Sequence, residues 1–327
     1  MVKGFPGRDE VAPGGRRSAA GLLLLLLLLA CLQQARAAGI LVVASASGGL
    51  YSRFIDAFTA GLANGDSPAG AVDISVITLD EHKLTVEDLA ARRLVVTVGS
   101  RAATDVAAHT PDIPVLHAIL PESVYRTLVE PSGACTSRSA IFIDQPIARQ
   151  AGLAQAMFPD ALDYGVLLGP TSGQRQPEID ALEKGSDRHL LVVQADDEAD
   201  IARATSSLLD RIDLLLAVND PLVLNRENAK WLLYSAYQHR LPVIGFSRAY
   251  VHAGAAGAVY SEPEQMARQA GEMVRHYLAS ASRCLPAAAF PAYFNVAVNQ
   301  SVCNSLGGAN CNEQTLGAML QGRKSAQ

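Results

Sequence analysis

The chain has 327 residues, of which 49% are hydrophobic and 18% charged, a composition typical of a globular protein with a sizeable core. Its formal charge is −5. Residues 1–37 hold five basic and two acidic residues, so the remainder has 22 basic and 30 acidic residues and a formal charge of −8. This acidic balance argues against a nucleic-acid partner, because nucleic-acid binding needs clustered Lys and Arg.

The N-terminal segment predicts a secretory signal peptide over residues 1–37. Basic residues, among them Lys3 and Arg16, precede eight consecutive leucines, a run too short to span a bilayer. Ala35-Arg36-Ala37 then has the A-x-A form of a cleavage site. The alternative is a lipobox over residues 28–31, which makes Cys31 a lipidated N-terminus. Both readings predict an exported, periplasmic protein.

Four cysteines follow that segment: Cys135, Cys284, Cys303 and Cys311. In an exported protein an even number favours disulfides, and four cysteines allow three connectivities. Cys303 and Cys311 lie close in sequence and are the first choice for a pair, with free thiols as the alternative. The cysteine spacings match no zinc-site pattern, and the sequence predicts neither a metal nor a cofactor.

Short apolar runs alternate with amphipathic helical patterns along the rest of the chain. Such runs are typical of parallel strands that are buried on both faces. The units fall into two groups that divide near Asp144-Gln145-Pro146. The sequence therefore predicts an α/β fold with two doubly wound, Rossmann-like parallel-sheet lobes joined by a hinge. The apolar runs are residues 40–43, 72–77, 94–98, 114–119, 165–168, 190–193, 214–218, 242–246 and 293–298.

Small and polar residues follow these strands. In doubly wound sheets a ligand binds beyond the carboxyl ends of the strands, where small residues let it approach the backbone. Two readings stay open for some of them, since Asp220 is also an ordinary turn residue and Tyr51 suits core packing as well as stacking on a ring. The predicted ligand site comprises Ser45, Ser47, Gly48, Tyr51, Gly99, Ser100, Thr171, Ser172, Asn219, Asp220 and Ser247.

Five segments, in this order over about 250 residues, carry a resemblance to a known family. They are residues 58–62, 96–100 with 112–115, 158–167, 241–255 and 299–307. In that order they resemble the motifs GF-x-x-GL, VAVGT…DIPVV, FP-x-A-x-x-x-GVL, IPVIG…VKAGAL and N-x-x-x-A-x-x-LG. These motifs are those of ABC transporter substrate-binding proteins with a type-1 periplasmic binding fold, in particular the tryptophan/tyrosine-type group.

The resemblance implies an N-terminal lobe of residues 38–144 plus 260–285 and a C-terminal lobe of 145–259 plus 286–312. It implies a small polar ligand in the cleft, an ABC permease of the inner membrane as partner, and no catalysis. The protein is expected to be a monomer, and its ligand an amino acid or related zwitterion whose amino group meets Asp220. Residues 313–327 are expected to form a loosely ordered tail.

Two alternatives use the same fold: a receptor that presents its ligand to a membrane sensor, and a two-Rossmann enzyme. The sequence does not separate the sensor from the transport receptor. Against the enzyme, the chain contains no G-x-G-x-x-G, P-loop, G-x-S-x-G or H-E-x-x-H motif. His117 lies inside an apolar run, which is more typical of a structural histidine than of a catalyst.

Overall fold

The structure, a computed structural model, describes residues 39–63, 73–90, 92–109, 112–129 and 136–324, together with Met1. The predicted signal peptide, apart from Met1, lies outside these residues, as do Cys31 and Cys135. Within the described part of the chain, no helix is both long and apolar enough to cross a membrane.

The N-terminal lobe is built on a parallel sheet with the strand order β2-β1-β3-β4-β5. Valine, isoleucine and leucine fill the central strands, which are buried along nearly their whole length, so helices must cover both faces of the sheet. The strands are β1 Ile40–Ala44, β2 Ile74–Thr78, β3 Leu94–Val98, β4 Val115–Leu120 and β5 Arg138–Phe142.

Two helix layers enclose this sheet. On one face Phe54 and Phe58 pack with Met266 and Val274, which come from helices that are far apart in sequence. On the other face Leu89 and Val106 cover the sheet. The helices of this lobe are α1 Gly49–Ala63, α2 Val86–Leu89, α3 Ser100–Ala108, α4 Glu122–Leu128 and α10 Pro263–Ala279.

The C-terminal lobe has a second sheet with the order β11-β10-β9-β8-β6-β7. Neighbouring strands are parallel except at one edge, where β11 is antiparallel to β10. The strands are β6 Asp163–Leu168, β7 His189–Gln194, β8 Leu214–Ala217, β9 Val243–Gly245, β10 Gly257–Tyr260 and β11 Asn295–Val298.

Helices cover both faces of this sheet as well. Met157 and Leu316 belong to the hydrophobic core on one face, while Leu208 and Leu232 belong to the core on the other. A 3₁₀ turn, Ser172–Arg175, precedes the helix that begins at Gln176. The helices are α5 Ile147–Met157, α6 Gln176–Lys184, α7 Glu198–Leu209, α8 Arg226–Gln238, α9 Arg248–His252, α11 Gln300–Ser305 and α12 Glu313–Lys324.

The chain passes between the lobes near residues 143–147, near 261 and near 291–294. Side-chain hydrogen bonds join these crossings: Gln145 Nε2 donates to Ser261 Oγ over 2.9 Å, and Ser261 Oγ donates to the Tyr293 carbonyl over 2.6 Å. The third crossing begins after the chain has run beside β5, where Phe142 N donates to the Ala289 carbonyl. These linked crossings form the hinge of the molecule.

The end of the chain is more ordered than the sequence predicts. The expectation of a loosely ordered tail is wrong for Glu313–Lys324, which form α12 and bury Leu316 and Leu320 in the C-terminal core. The predicted Cys303–Cys311 disulfide is confirmed, with Cα atoms 5.9 Å apart. Cys284 is disulfide-bonded as well, so free thiols are excluded at these three cysteines.

Candidate functional site

A cavity of about 160 Å³ lies between the lobes, where strands from both sheets end. Residues after β5 form one wall, and residues after β8, β9 and β10 contribute to the others. The lining residues are Ile143, Asp144, Gln145, Gln150, Arg175, Asn219, Phe246, Ser247, Tyr260 and Ser261.

A smaller pocket adjoins this cavity and shares Asp144, Arg175 and Asn219 with it. It extends the cleft toward the start of α4 in the N-terminal lobe and toward the turn after β6 in the C-terminal lobe. We call the two together the interlobe cavity. The pocket adds Glu122, Ser123, Arg126, Thr171, Ser172 and Gln174 to the lining.

Asp144 places a buried carboxylate in this cavity from the N-terminal side. Only 8% of the residue is exposed, and its Oδ2 accepts a hydrogen bond from Glu122 N over 2.7 Å. Burial raises the pKa of Asp144, while that hydrogen bond and the positive charge of Arg175 oppose the rise. A carboxylate withdrawn from water gains strongly from a cationic partner, so Asp144 favours an incoming ammonium group.

Arg175 places a positive charge in the same cavity from the C-terminal side. Its guanidinium donates to Glu178 Oε2 over 2.6 Å and to the Gln145 carbonyl over 2.8 Å. The second bond reaches the hinge, so the position of Arg175 depends on how the lobes are joined. The ion pair with Glu178 compensates part of the Arg175 charge, and burial of the guanidinium strengthens the attraction that remains for an anion.

Four of the predicted site residues of the C-terminal lobe line the interlobe cavity: Thr171, Ser172, Asn219 and Ser247. Two of their hydroxyls are already engaged, because Ser172 Oγ accepts from Gly169 N and Ser247 Oγ caps α9 by accepting from Tyr250 N. Within the described residues, the side chains of Thr171 and Asn219 make no hydrogen bond to the protein. These two are therefore available to a ligand.

Asp220, also predicted to contact the ligand, does not line the interlobe cavity. The residue is fully buried, and its carboxylate accepts hydrogen bonds from Ser172 N, Leu222 N and Val223 N at 2.8–3.3 Å. A Cβ added at Gly169 would lie 2.4 Å from Asp220 Oδ1, so the backbone encloses the carboxylate closely. Asp220 therefore has the structural role of a turn residue, which was the alternative interpretation of the sequence. Its carboxylate oxygens accept hydrogen bonds from its own lobe.

The predicted residues of the N-terminal lobe lie at the ends of β1 and β3, and none of them is among the residues that line the interlobe cavity. Ser45 Oγ accepts from Ala102 N over 3.0 Å, which satisfies a donor in the first turn of α3. Ser47 N and Oγ both donate to Asp80 Oδ2. Both hydroxyls are therefore already engaged within their own lobe.

The remaining predicted residues of this lobe shape the ends of β1 and β3. Gly99, with φ of 94°, packs so tightly that an added Cβ would lie 2.5 Å from Ser45 Oγ and 2.7 Å from a ring carbon of Tyr51. Tyr51 is partly buried and packs against the hydrophobic core, which was one of the two interpretations of its sequence position. Gly48 is exposed with φ of 79°, and Ser100 opens α3.

The N-terminal wall of the cavity comes instead from residues that the sequence-based site prediction omits, above all Glu122 and Asp144. Both follow strands, so the rule that selected the serines applies to them equally. Ile119 introduces this wall with a φ of 55°, where the pairing of β4 with β5 is irregular. Such a conformation is costly for a β-branched residue and re-aims the chain that leads to Glu122.

A profile of the family described as "ABC transporter substrate binding protein" matches residues 83–306. The chain belongs to this family. A search of curated proteins finds no match. Members of the family bind a small molecule outside the cytoplasm and work with a membrane permease. The family consists of substrate-binding proteins rather than enzymes.

Solved structures with similar folds include an ABC domain in complex with L-Trp from Streptococcus pneumonia, with 18% identity and a TM-score of 0.57. That alignment covers 85% of this chain and 97% of the other. The ligand-free, open structure of CD0873 from Clostridium difficile, a substrate-binding protein with adhesive properties, has 19% identity and a TM-score of 0.65 over 83% and 95%. The predicted type-1 periplasmic binding fold is thereby confirmed.

Proposed function

We propose that this substrate-binding protein holds an amino acid or a related small zwitterion in the interlobe cavity and presents it, chemically unchanged, to its permease. One observation carries the proposal: opposite charges from the two lobes, Asp144 and Arg175, line the same cavity. A molecule that bears both an ammonium and a carboxylate group matches this arrangement, and it links the lobes when it binds.

The ammonium group is expected at Asp144, and the carboxylate is expected near Arg175. The amide of Asn219 and the hydroxyl of Thr171 supply further hydrogen bonds, because both side chains lie in the cavity without a protein partner among the described residues. This assignment moves the amine-binding role from Asp220 to Asp144, whose carboxylate lies in the wall of the cavity.

The size and the walls of the cavity favour a compact solute with an apolar side chain. About 160 Å³ is well below the roughly 300–1,000 Å³ of typical drug-sized ligand pockets. The rings of Phe246 and Tyr260 contribute an apolar wall. The L-Trp bound to the Streptococcus pneumonia protein supports an amino acid as a ligand class for this fold.

The proposed setting is the periplasm, reached through the signal peptide of residues 1–37, with the mature protein either free or anchored through Cys31. A monomer is proposed because both walls of the interlobe cavity come from one chain. Closure of the lobes around the solute then presents a different outer surface to the permease.

A thermal-shift screen tests this proposal. The protein is unfolded and refolded to remove carried-over ligand, then heated with amino acids, aromatic acids, sugars, nucleosides or polyamines. A ligand at about 100 times its Kd stabilises a protein by about 2.7 kcal/mol, which a melting curve resolves. A shift with amino acids supports the proposal. A shift confined to sugars or polyamines contradicts the zwitterion, and no shift with any class contradicts solute binding.

A further inference from the structure

A larger cavity, of about 320 Å³, lies on the C-terminal lobe outside the interlobe cavity. We call it the outer cavity. Residues of α5, α6 and α12 line it, together with the segment that leads into β7. Leu182, Leu190 and Leu320 give it an apolar wall, and its volume falls within the range of small-molecule sites.

Arg188 brings a nearly buried positive charge to this wall. Its side chain is only 10% exposed, and its Nε has no hydrogen-bond partner. Its Nη2 donates to the Pro159 carbonyl, a neutral group. The ion pair with Asp187 is weak, because Nε and Oδ1 are 3.7 Å apart and the Asp187 side chain is 77% exposed. The charge of Arg188 is therefore poorly compensated by the protein.

Arg149 brings a second guanidinium to the same cavity. Its contacts are with neutral groups: it donates to Gln145 Oε1 and to the Pro291 carbonyl, and it lies 4.1 Å from the centre of the Phe294 ring. Among the described residues no carboxylate lies within ion-pair distance of it. Burial lowers the pKa of Arg149 to about 10, so the group remains charged at neutral pH.

A second polar group in the wall, besides Arg188, lacks a well-formed hydrogen bond. Tyr164 is fully buried, and its hydroxyl contacts Arg188 without forming a hydrogen bond of good geometry. Buried polar groups almost always have well-formed hydrogen bonds, so two groups at one cavity that make only a poor contact with each other need an explanation. A ligand that supplies an acceptor to both explains them together.

We propose that the outer cavity is a second ligand site of this protein, which takes a small apolar molecule bearing one carboxylate or similar anionic group. The anion is expected at Arg188, within reach of Tyr164 and with Arg149 adding positive charge, and the apolar body packs against the leucine wall. An anion with two oxygens matches the fork of an arginine and gains most where the guanidinium is withdrawn from water.

The outer cavity lies directly behind the hinge. Arg149 lines the outer cavity and donates a hydrogen bond to Gln145. Gln145 in turn lines the interlobe cavity and donates a hydrogen bond to Ser261. An anion in the outer cavity would therefore compete with Gln145 for the Arg149 guanidinium, which is now hydrogen-bonded to the hinge. This contact gives the second site a direct physical connection to lobe closure.

Titration of the refolded protein with sodium benzoate, followed by ligand-observed NMR and thermal shift, tests the proposal. Benzyl alcohol and benzylamine are the neutral and cationic controls. We expect benzoate to bind at millimolar concentration, to bind at least about tenfold more tightly than either control, and to weaken at least about tenfold in Arg188→Gln. Arg211→Gln, which removes an exposed arginine of the same lobe, is expected to bind benzoate as the unaltered protein does.

Two further variants keep the result interpretable. Ala148→Phe fills the outer cavity while leaving Arg188 in place, so it is expected to abolish benzoate binding even if Arg188→Gln fails to fold. Asn219→Ala alters the interlobe cavity and is expected to leave benzoate binding unchanged. The proposal is overturned if benzoate does not bind, if it binds equally to Ala148→Phe, or if Asn219→Ala removes it, which would assign benzoate to the interlobe cavity.

Discussion

Asp220 Oδ2 accepts a hydrogen bond from Ser172 N over 2.8 Å and so joins the end of β8 to the turn that follows β6. Leu222 N and Val223 N donate to the other carboxylate oxygen. One buried side chain therefore fixes two of the strand ends that line the interlobe cavity. Asp220 supports the site from behind, while the adjacent Asn219 enters the cavity.

Asp220→Ala is expected to lower the free energy of unfolding by about 2–4 kcal/mol, because three N–H groups lose their acceptor. Urea unfolding followed by circular dichroism measures this. Asp220→Asn keeps one acceptor oxygen and should lose less, and Asp160→Ala, at an exposed position, should change little. An Asp220→Ala protein of normal stability that no longer binds solute would contradict the supporting role and favour direct ligand contact.

His117 should make the protein sensitive to acid. Its ring is buried next to Thr97, and burial lowers its pKa from 6.5 to about 3. The folded protein keeps this histidine neutral, whereas the unfolded chain takes up a proton below about 6.5. Its contribution to stability is therefore present above that pH and is lost as the pH falls toward 3.

The expected loss is at most about 1.4 kcal/mol for each pH unit in that window. Urea titrations of the unaltered protein and of His117→Gln, at several pH values between 3 and 7, separate the contribution of His117 from that of the other titratable groups. The difference in unfolding free energy between the two proteins should shrink as the pH falls. A difference that stays constant across the window would show that His117 titrates normally.

Asp144 should make solute binding depend on pH. Burial raises its pKa, so the carboxylate that we propose receives the ammonium group becomes protonated, as the pH falls, at a higher pH than an ordinary Asp does. In the ligand-free protein its contribution to stability is present below the unfolded pKa and is lost as the pH rises through the folded pKa. A fall in pH therefore weakens solute binding. It also stabilises the ligand-free protein, because a protonated Asp144 carries no buried charge.

Calorimetric titration with the best amino acid from the screen, in steps from neutral pH downward, measures this dependence. Asp144→Asn is expected to bind the amino acid weakly at every pH. Its affinity should lack the fall with decreasing pH that the unaltered protein shows. If the unaltered protein binds equally well across the range, Asp144 does not pair with the ammonium group.

The Cys303–Cys311 disulfide should contribute about 2–3 kcal/mol, the value for a loop of this short length in the chain-entropy account. Cys311→Ala removes the bond while leaving the buried sulfur of Cys303 in the core. Urea unfolding should show that loss, and hydrogen exchange should show it concentrated in α11 and α12. Unchanged protection of α12 would mean that packing of Leu316 alone holds the helix.

Long runs of Val, Leu and Ile were sufficient to predict most strands, since parallel strands covered on both faces must be apolar throughout. Two strands were missed. Arg138–Phe142 and Gly257–Tyr260 begin with polar or small residues, and they form strands because a neighbouring strand offers an edge for pairing. Leu316 and Leu320 likewise have helical spacing, but the core they fill is assembled from distant segments.

The site was predicted less completely than the fold. The rule that ligands bind at strand ends selected Thr171, Ser172, Asn219 and Ser247, all of which line the cavity, since the rule depends only on chain direction. The rule does not say whether a side chain faces the cleft or its own backbone. The direction of the side chain depends on the backbone N–H groups near it. Ser45 and Asp220 accept hydrogen bonds from such groups in their own lobes.

The most direct test of the account is calorimetric titration of the best amino acid against three variants. Asn219→Ala changes the C-terminal wall, Asp144→Asn changes the N-terminal wall, and Asp160→Ala is an exposed control. Both wall variants are expected to lose at least about tenfold in affinity, at about 1.4 kcal/mol per factor of ten, while the control binds normally. Normal binding by either wall variant would contradict a solute held between the two lobes.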